Sequence, residues 1–148
     1  MNRFHATAEG NIPFTVEEEA AADAALPTLE GTRQSAIDAV VDRQYREADK
    51  GTTVAGLFVA TTIDSIAEIT GAVQGNGRNP ANVRKINLRG GRVQMNKAQL
   101  EAIADSVDDY RQLCHDRGFD ICNLIDLAVD KSAIDTVISA EIDIGWPV

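Results

Sequence analysis

Three adjacent residues in the second half of the chain carry side chains that could do chemistry together. Cys114, His115 and Asp116 supply a thiol, an imidazole and a carboxylate, and Cys122 lies eight positions beyond Cys114. A catalytic thiol needs a base within hydrogen-bonding reach. Neighbouring positions on a helix point about 100° apart, so His115 cannot activate a Cys114 that lies on the apolar seam. We therefore interpret both cysteines as small core residues and His115 as a surface residue.

The other ionisable residues do not form a recognisable site. Zinc sites usually have about four ligands at short, repeated spacings, and His5 is the one other histidine in the chain. The neighbouring carboxylates, Glu17–Glu19 and the group Asp105, Asp108 and Asp109, belong to helical patterns whose polar faces are solvated. The sequence predicts no catalytic, metal-binding or cofactor-binding residues, and therefore no enzyme.

One glycine-rich segment, Gly75–Pro80, contains Arg78 and invites comparison with a phosphate-binding loop. It lacks the lysine and the hydroxyl of that motif, and it does not lie between a strand and a helix in the required order. Its composition predicts a simple loop.

The charge is distributed unevenly along the chain. The net charge of −9 argues against general affinity for nucleic acid or for anionic lipid. Residues 78–99 nevertheless carry six basic residues and no acid, for +6, whereas residues 1–30 carry Arg3 and six acids, for −5. Such polarity could dock neighbouring copies or partners, or it could be a solvated hairpin face, because exposed charge pairs contribute little.

The 148 residues suit one domain with an arm. No apolar run approaches the roughly 20 residues that cross a bilayer, and the first residues lack the pattern of a signal peptide. We expect a soluble protein that stays in the compartment where it is made, with both thiols reduced.

The first 50 residues predict two helices outside the compact part of the chain. Thr15 and Glu18 form a capping-box pattern, and the helix that follows should end before Pro27. Because its alanines bury little area, residues 1–30 are interpreted as an N-terminal arm with a short helix. Residues 31–50 are interpreted as a connecting helix that ends at Gly51.

Residues 51–148 predict a compact α+β domain. Gly56 interrupts a β-branched stretch that reads as a hairpin or a bulged strand, and Ile63–Val73 has helical spacing. A two-residue turn at Gly90-Gly91 would pair Leu88 with Val93 and Ile86 with Met95 in a second hairpin.

The last third of the chain predicts helices. Asn96 and Gln99 form a second capping signal, and the apolar seam that starts at Leu100 should end at Gly118. Further helices are expected over residues 119–129 and 132–140, and burial of Trp146 would fix the end of the chain. The predicted fold class is α+β: an N-terminal helical arm and small antiparallel β-hairpins packed on a C-terminal bundle of helices.

Several short motifs, in a fixed order, resemble a known family. They are Gly51–Gly56 leading to Ala60–Ser65, Ile69–Ala72, Gly91–Met95, Ala98–Ala102, Tyr110–Cys114 and Gly145–Pro147. On these motifs the stretch from Arg46 to Val148 resembles the uncharacterised domain family found at the C-terminal ends of bacteriophage tail and tail-fibre-associated proteins. The leader His5–Glu19 is similar to the opening of small phage tail proteins. An aromatic residue often follows the cysteine in that family, and His115 stands there in this chain.

The resemblance implies a place in the phage tail without enzymatic chemistry, and it supplies no binding residues. We expect a component of the tail or tail fibre, made in the bacterial host cytoplasm and located in the virion, that contacts other tail, baseplate or fibre proteins and forms homo-oligomers. The acidic arm would anchor to a tail or baseplate protein, and the domain would contact a fibre or a neighbouring copy. A non-virion tail-fibre assembly chaperone is the alternative. Neither role calls for a cofactor, nucleic acid or a membrane.

Overall fold

A computed structural model of the chain describes residues 3–7, 10–24, 26–78, 83–88 and 91–148. Within these residues the fold is α+β, as the sequence predicts, with helices in the majority and three separate two-stranded antiparallel sheets. The elements in chain order are β1 (Phe4–Thr7), β2 (Gly10–Pro13), α1 (Val16–Ala24), α2 (Leu29–Ala48), β3 (Thr52–Val54), β4 (Leu57–Val59), α3 (Ile63–Arg78), β5 (Arg84–Leu88), β6 (Gly91–Met95), α4 (Lys97–Leu127) and α5 (Lys131–Glu141).

Helices α2, α4 and α5 enclose one apolar core. Its buried side chains include Val40 from α2, Ile121 and Ile125 from α4, and Ile134 from α5. Thr28 caps α2 by accepting a hydrogen bond from the Gly31 backbone at 3.0 Å. Residues 31–50, expected to form a connecting helix, therefore belong to the core. The boundary drawn between residues 31–50 and 51–148 does not separate two packing units.

The first half of α4 contributes to a second core, beneath the hairpins and α3. Val59, Ile69 and Ile86 pack there against Leu100 and Ile103 of α4. The capping box that opens α4 forms as predicted, since Asn96 and Gln99 exchange side-chain-to-backbone hydrogen bonds of 3.0 Å. One long helix thus joins the two cores.

The prediction that a helix ends at Gly118 is wrong, because α4 continues unbroken to Leu127. Gly118 is buried, and a β-carbon at this position would overlap the side chain of Gln44 on α2. The glycine therefore serves close packing of two helices rather than helix termination.

The loop predicted over Gly75–Pro80 is also wrong for the residues described, since α3 extends to Arg78. Asn76 is fully buried, and its Oδ1 accepts a hydrogen bond from Arg84 Nε at 3.3 Å. Gly75 leaves room for the same guanidinium. Tertiary contacts override the weak helix propensity of this stretch. Asn79 and Pro80 lie outside the described residues.

The hairpin of β5 and β6 has a register two residues away from the prediction. Ile86 pairs with Val93 rather than with Met95, and Leu88 pairs with Gly91. A slip of two residues keeps each side chain on its predicted face, because strand side chains alternate with a period of two. Ile86 and Met95 accordingly remain buried. The predicted Arg89–Arg92 pair and its Gly90-Gly91 turn include residues outside those described.

The other hairpin, predicted around Gly56, forms between β3 and β4, with Ala55 and Gly56 at positive φ. In the arm, the capping box is confirmed by hydrogen bonds from the Glu18 amide to Thr15 Oγ1 and from the Thr15 amide to Glu18 Oε2. Strands β1 and β2, which the sequence did not predict, precede it. Arg3 joins this hairpin to α1 through a 2.8 Å ion pair with Asp23.

Candidate functional site

The structure places the side chains of Cys114, His115 and Asp116 in three different environments. Cys114 is fully buried beside Tyr110 and Ala48, and burial raises the pKa of its thiol, although a hydrogen bond with Tyr110 opposes that shift. His115 is half-buried, shares a hydrogen bond with the Gln44 side chain and meets the Tyr45 ring edge-on. Asp116 is exposed and accepts a hydrogen bond from Gln112. The three groups are adjacent in sequence but face different partners.

Cys122 lies half-buried at the edge of the α2–α4–α5 core. Burial raises the pKa of its thiol, and Asp126 adds to the rise. In the described part of the chain, no three His, Cys, Asp or Glu side chains cluster in a way that could hold a metal ion. No helix there is long and apolar enough to span a membrane.

A buried ionic cluster at the end of α2 is the main feature that sequence reasoning missed. Glu47 is 3% exposed, and its carboxylate lies 2.7 Å from Arg43 Nε and 2.6 Å from Lys50 Nζ. Arg43 also reaches Asp143, at 3.2 Å, beyond the end of α5. A buried carboxylate requires such paired cations, because an unpaired charge in the interior is costly.

The sequence did contain a signal for this burial. Glu47 lies seven positions after the buried Val40, so the two residues share one face of α2. Arg43 and Lys50 stand at the i−4 and i+3 positions from which a helical cation reaches a carboxylate. Helical position thus indicates the face, although a glutamate is by residue type alone expected on a solvated surface.

Tyr110 joins the ionic cluster to α4. Its hydroxyl donates a hydrogen bond of 2.9 Å to the backbone oxygen of Glu47. Desolvation, followed by smaller effects of Cys114 and Glu47, raises the pKa of Tyr110 to about 12. The phenol therefore stays protonated and acts as a donor at any physiological pH.

A cleft of about 290 Å³ lies over this cluster, between the end of α2 and the C-terminal segment. Its lining includes Arg43, Glu47 and Tyr110 together with Trp146 and Pro147. The Trp146 indole is half-buried and donates a 2.8 Å hydrogen bond to the Ile142 carbonyl oxygen. The Glu47 carboxylate that faces this cleft is already paired with two cations, so the arrangement is suited to fixing the C-terminal segment against α2 rather than to proton transfer.

Arginines secure the remaining junctions between elements. Arg111 of α4 donates to the Thr61 carbonyl oxygen at 2.7 Å and pairs with Asp49 at 2.9 Å. Arg117 pairs with Glu141 at 2.6 Å and donates to the Ile144 carbonyl oxygen at 3.1 Å. These contacts give both guanidinium groups partners, which accounts for the burial of most of each arginine side chain.

A shallow groove of about 410 Å³ separates α3 from α4. Its apolar surface comes from Ile66, Ile69 and Val107, and its rim carries the exposed Asp105 and Asp108. Both carboxylates, which the sequence analysis considered as candidates, therefore lie beside an apolar surface. Among the described residues they do not join a third His, Cys, Asp or Glu in a group that could hold a metal ion.

Large apolar side chains are exposed on the second half of α4. Leu113, Leu124 and Leu127 lie toward one side of the helix and are 42% to 77% exposed, whereas Phe119 is 67% exposed on another side. Apolar side chains grouped on one surface are typical of contact with another protein.

Burial is described for residues 3, 11–23 and 26–30 of the arm, and none of these side chains is buried. Ile12 and Leu26 are each 53% exposed, and Val16 is 87% exposed. A two-stranded hairpin without a core is marginally stable by itself. The arm therefore presents apolar and acidic side chains to its surroundings.

Comparison with known proteins identifies a family for most of the chain. No curated protein and no solved structure matches this chain. One family model does match, over residues 31–143, a range that begins within α2 and ends just after α5. This range includes the ionic cluster and both apolar cores but excludes the arm. The chain therefore belongs to the family described as a domain of unknown function, DUF4376.

Proposed function

We propose that this protein is a structural or adaptor component of a bacteriophage tail or tail fibre, and that it works through protein-protein contacts. The observation that carries the contact role is the arm, whose described side chains include exposed Ile12, Val16 and Leu26 and no buried residue. A hairpin and a helix with this surface gain stability when they dock on another protein.

The domain supplies a rigid body on which such an arm can act. Its two apolar cores share α4. Tyr110 fixes α2 to that helix through the Glu47 backbone oxygen, and Arg117 fixes the C-terminal segment to it through the Ile144 carbonyl oxygen. Contact proteins that hold a defined position in an assembly benefit from such rigidity, because less freedom is lost on binding.

The placement in a phage tail has a different support. It rests on the ordered motifs between Gly51 and Pro147 that resemble domains at the ends of tail and tail-fibre-associated proteins, and the matched family carries no stated function of its own. The same motifs are compatible with a non-virion chaperone for fibre assembly, which would use these surfaces transiently.

Mass spectrometry of purified phage particles tests the proposal. A virion component should be present in particles at a fixed ratio to the other tail proteins. Presence in the infected lysate with absence from mature particles would favour the chaperone, and absence from both would contradict a role in the phage tail.

A matched pair of variants tests whether the arm makes the contact. Val16 and Ile63 are each the first residue of a helix and are 87% and 75% exposed. Aspartate is well tolerated at the start of a helix, so neither Val16→Asp nor Ile63→Asp should unfold the protein. We expect Val16→Asp to reduce incorporation into particles and Ile63→Asp to leave it unchanged; equal incorporation of both would argue against docking through the arm.

A further inference from the structure

We infer that the acidic arm of one copy binds the basic surface around the β5–β6 hairpin of a second copy. The basic surface is defined here by the exposed side chains of Arg78, Lys85 and Arg92. The inference rests on the proposed function in one respect, namely that the arm docks outside its own domain.

The basic surface lacks acidic partners among the side chains of its own chain that the structure describes. Among described side chains, Arg78, Lys85 and Arg92 form no ion pair, and no acid occurs anywhere in residues 78–99. The arginines elsewhere that pair with carboxylates are Arg3, Arg33, Arg43, Arg111 and Arg117. An uncompensated group of cations on a protein of net charge −9 is suited to an acidic partner.

Strand geometry keeps two of these cations on one face. Lys85 pairs with Gln94 and Asn87 pairs with Arg92, so both cations project from the face of the hairpin opposite the buried Ile86. Arg84 lies on the other face and is engaged with Asn76. Val83, at the start of the hairpin, adds a side chain that is 56% exposed.

The arm presents the complementary pattern. Glu17–Glu19 occupy the first turn of α1, and Glu17 is exposed. The helix dipole accounts for acids at this position, but it does not account for the 87% exposure of Val16 beside them. A partner surface with cations and an exposed valine would accommodate both the acidic and the apolar side chains of the arm.

The contact is assigned to a second copy because no described contact joins the arm to the basic surface of its own chain. Between described residues, no hydrogen bond or ion pair joins residues 3–26 to residues 78–97. Nucleic acid is the competing occupant of a basic surface. The overall negative charge and the lack of aromatic residues in segment 78–99 disfavour it.

A contact between two different surfaces of the same chain is heterologous. It generates a ring if the rotation between copies closes, and an open chain of copies if it does not. Exposed charge pairs are individually weak, so we expect self-association that depends on protein concentration and on salt.

Light scattering of the purified full-length chain tests the inference. Raising the salt from about 0.1 M to about 1 M shortens the Debye length from about 10 Å to about 3 Å and should dissociate the assembly. Lys85→Glu with Arg92→Glu should weaken self-association about tenfold or more, because two attractions become repulsions. Arg46→Glu reverses an exposed cation on α2 that has no carboxylate partner among the described residues, and it serves as the control.

Reciprocal charge reversal separates a specific contact from a general charge effect. Glu17→Lys alone should weaken association, and combining it with Lys85→Glu should restore part of it. Asp109→Lys, at an exposed acid on α4, should have little effect. Circular dichroism of each variant confirms folding.

A monomeric chain at low salt would overturn the inference, as would equal effects of Arg46→Glu and the hairpin variants or a failure of the reciprocal pair to restore association. Binding to a DNA duplex that is lost in the hairpin double variant would also overturn it, in favour of nucleic acid. If incorporation into particles required Val16 but the chain did not self-associate, this inference would be refuted and the proposed function would stand. If the chain self-associated but was not incorporated into particles, the proposed function would be refuted and this inference would stand.

Discussion

The hydroxyl of Tyr110 donates a hydrogen bond of 2.9 Å to the backbone oxygen of Glu47, across the buried junction of α4 and α2. Tyr110→Phe removes this donor from the Glu47 carbonyl oxygen, which keeps its 3.1 Å hydrogen bond from the Lys50 amide. We expect the free energy of unfolding to fall by about 1–2 kcal/mol. Tyr45→Phe is the control. Tyr45 is 52% exposed, so the loss of its hydroxyl should change the free energy of unfolding by less than about 0.5 kcal/mol. Urea denaturation of the two variants measures the difference, and equal stabilities would contradict a buried role for the Tyr110 hydroxyl.

The same tyrosine predicts a loss of stability in alkaline solution. Burial raises the pKa of Tyr110 from its usual 10 to about 12. Between these values the unfolded chain releases the phenolic proton and the folded chain retains it, so the unfolded state is favoured as the pH rises. The contribution of Tyr110 is intact below pH 10 and is lost progressively from pH 10 to about 12. Denaturation across this range should show a steeper decline for the wild-type chain than for Tyr110→Phe. Parallel declines would show that the Tyr110 pKa is unshifted.

The Glu47 carboxylate is expected to contribute strongly to stability because it is buried between two cations. Glu47→Gln would leave Arg43 with the exposed Asp143 as its remaining ion-pair partner. We expect a loss of about 3 kcal/mol in unfolding free energy. Asp38→Asn, at an exposed residue of the same helix, should cost less than about 0.5 kcal/mol.

A double variant separates the effect of the ionic charges on stability from the effect of the side-chain volume. Arg43→Met with Glu47→Leu replaces the pair by apolar side chains of similar size, and it should be less destabilising than Glu47→Gln alone. A double variant at least as unstable as Glu47→Gln would mean that the ionic cluster itself stabilises the junction.

The sequence predicted features that depend on neighbouring residues better than features that depend on residues far apart in the chain. The capping boxes of Thr15 with Glu18 and of Asn96 with Gln99 were predicted because each involves residues three positions apart. Gly118 was wrongly predicted to end a helix, because the need for glycine there comes from the close approach of Gln44 on another helix. The burial of Glu47 was not predicted, because it depends on the C-terminal segment and on Tyr110 as well as on its own helix. Residue type indicates local structure, but it does not reveal which polar side chains a distant element will cover.

The two cysteines are expected to differ in reactivity. Cys114 is fully buried, Cys122 is half-buried, and burial raises the pKa of each thiol. Because the thiolate is the reactive form and must meet the reagent, iodoacetamide should modify Cys122 first and Cys114 only as the protein unfolds. Mass spectrometry of timed samples measures both rates. Modification of Cys114 as fast as Cys122 in native buffer would show an open, reactive thiol and would renew interest in Cys114 and His115 as a catalytic pair.

Gly118 makes a prediction about the contact between α2 and α4. In an exposed helix, replacing glycine by alanine stabilises by about 1 kcal/mol, and Gly71→Ala should do so because nothing lies near the new methyl group. Gly118→Ala should instead destabilise by about 1–2 kcal/mol, because the methyl group displaces Gln44 from its hydrogen bond with His115. In a Gln44→Ala background the overlap is absent, so the same substitution should become neutral or stabilising. Urea denaturation of the four chains in this cycle gives the coupling directly. A coupling near zero would mean that Gln44 moves aside at no cost, and the glycine would then need another explanation.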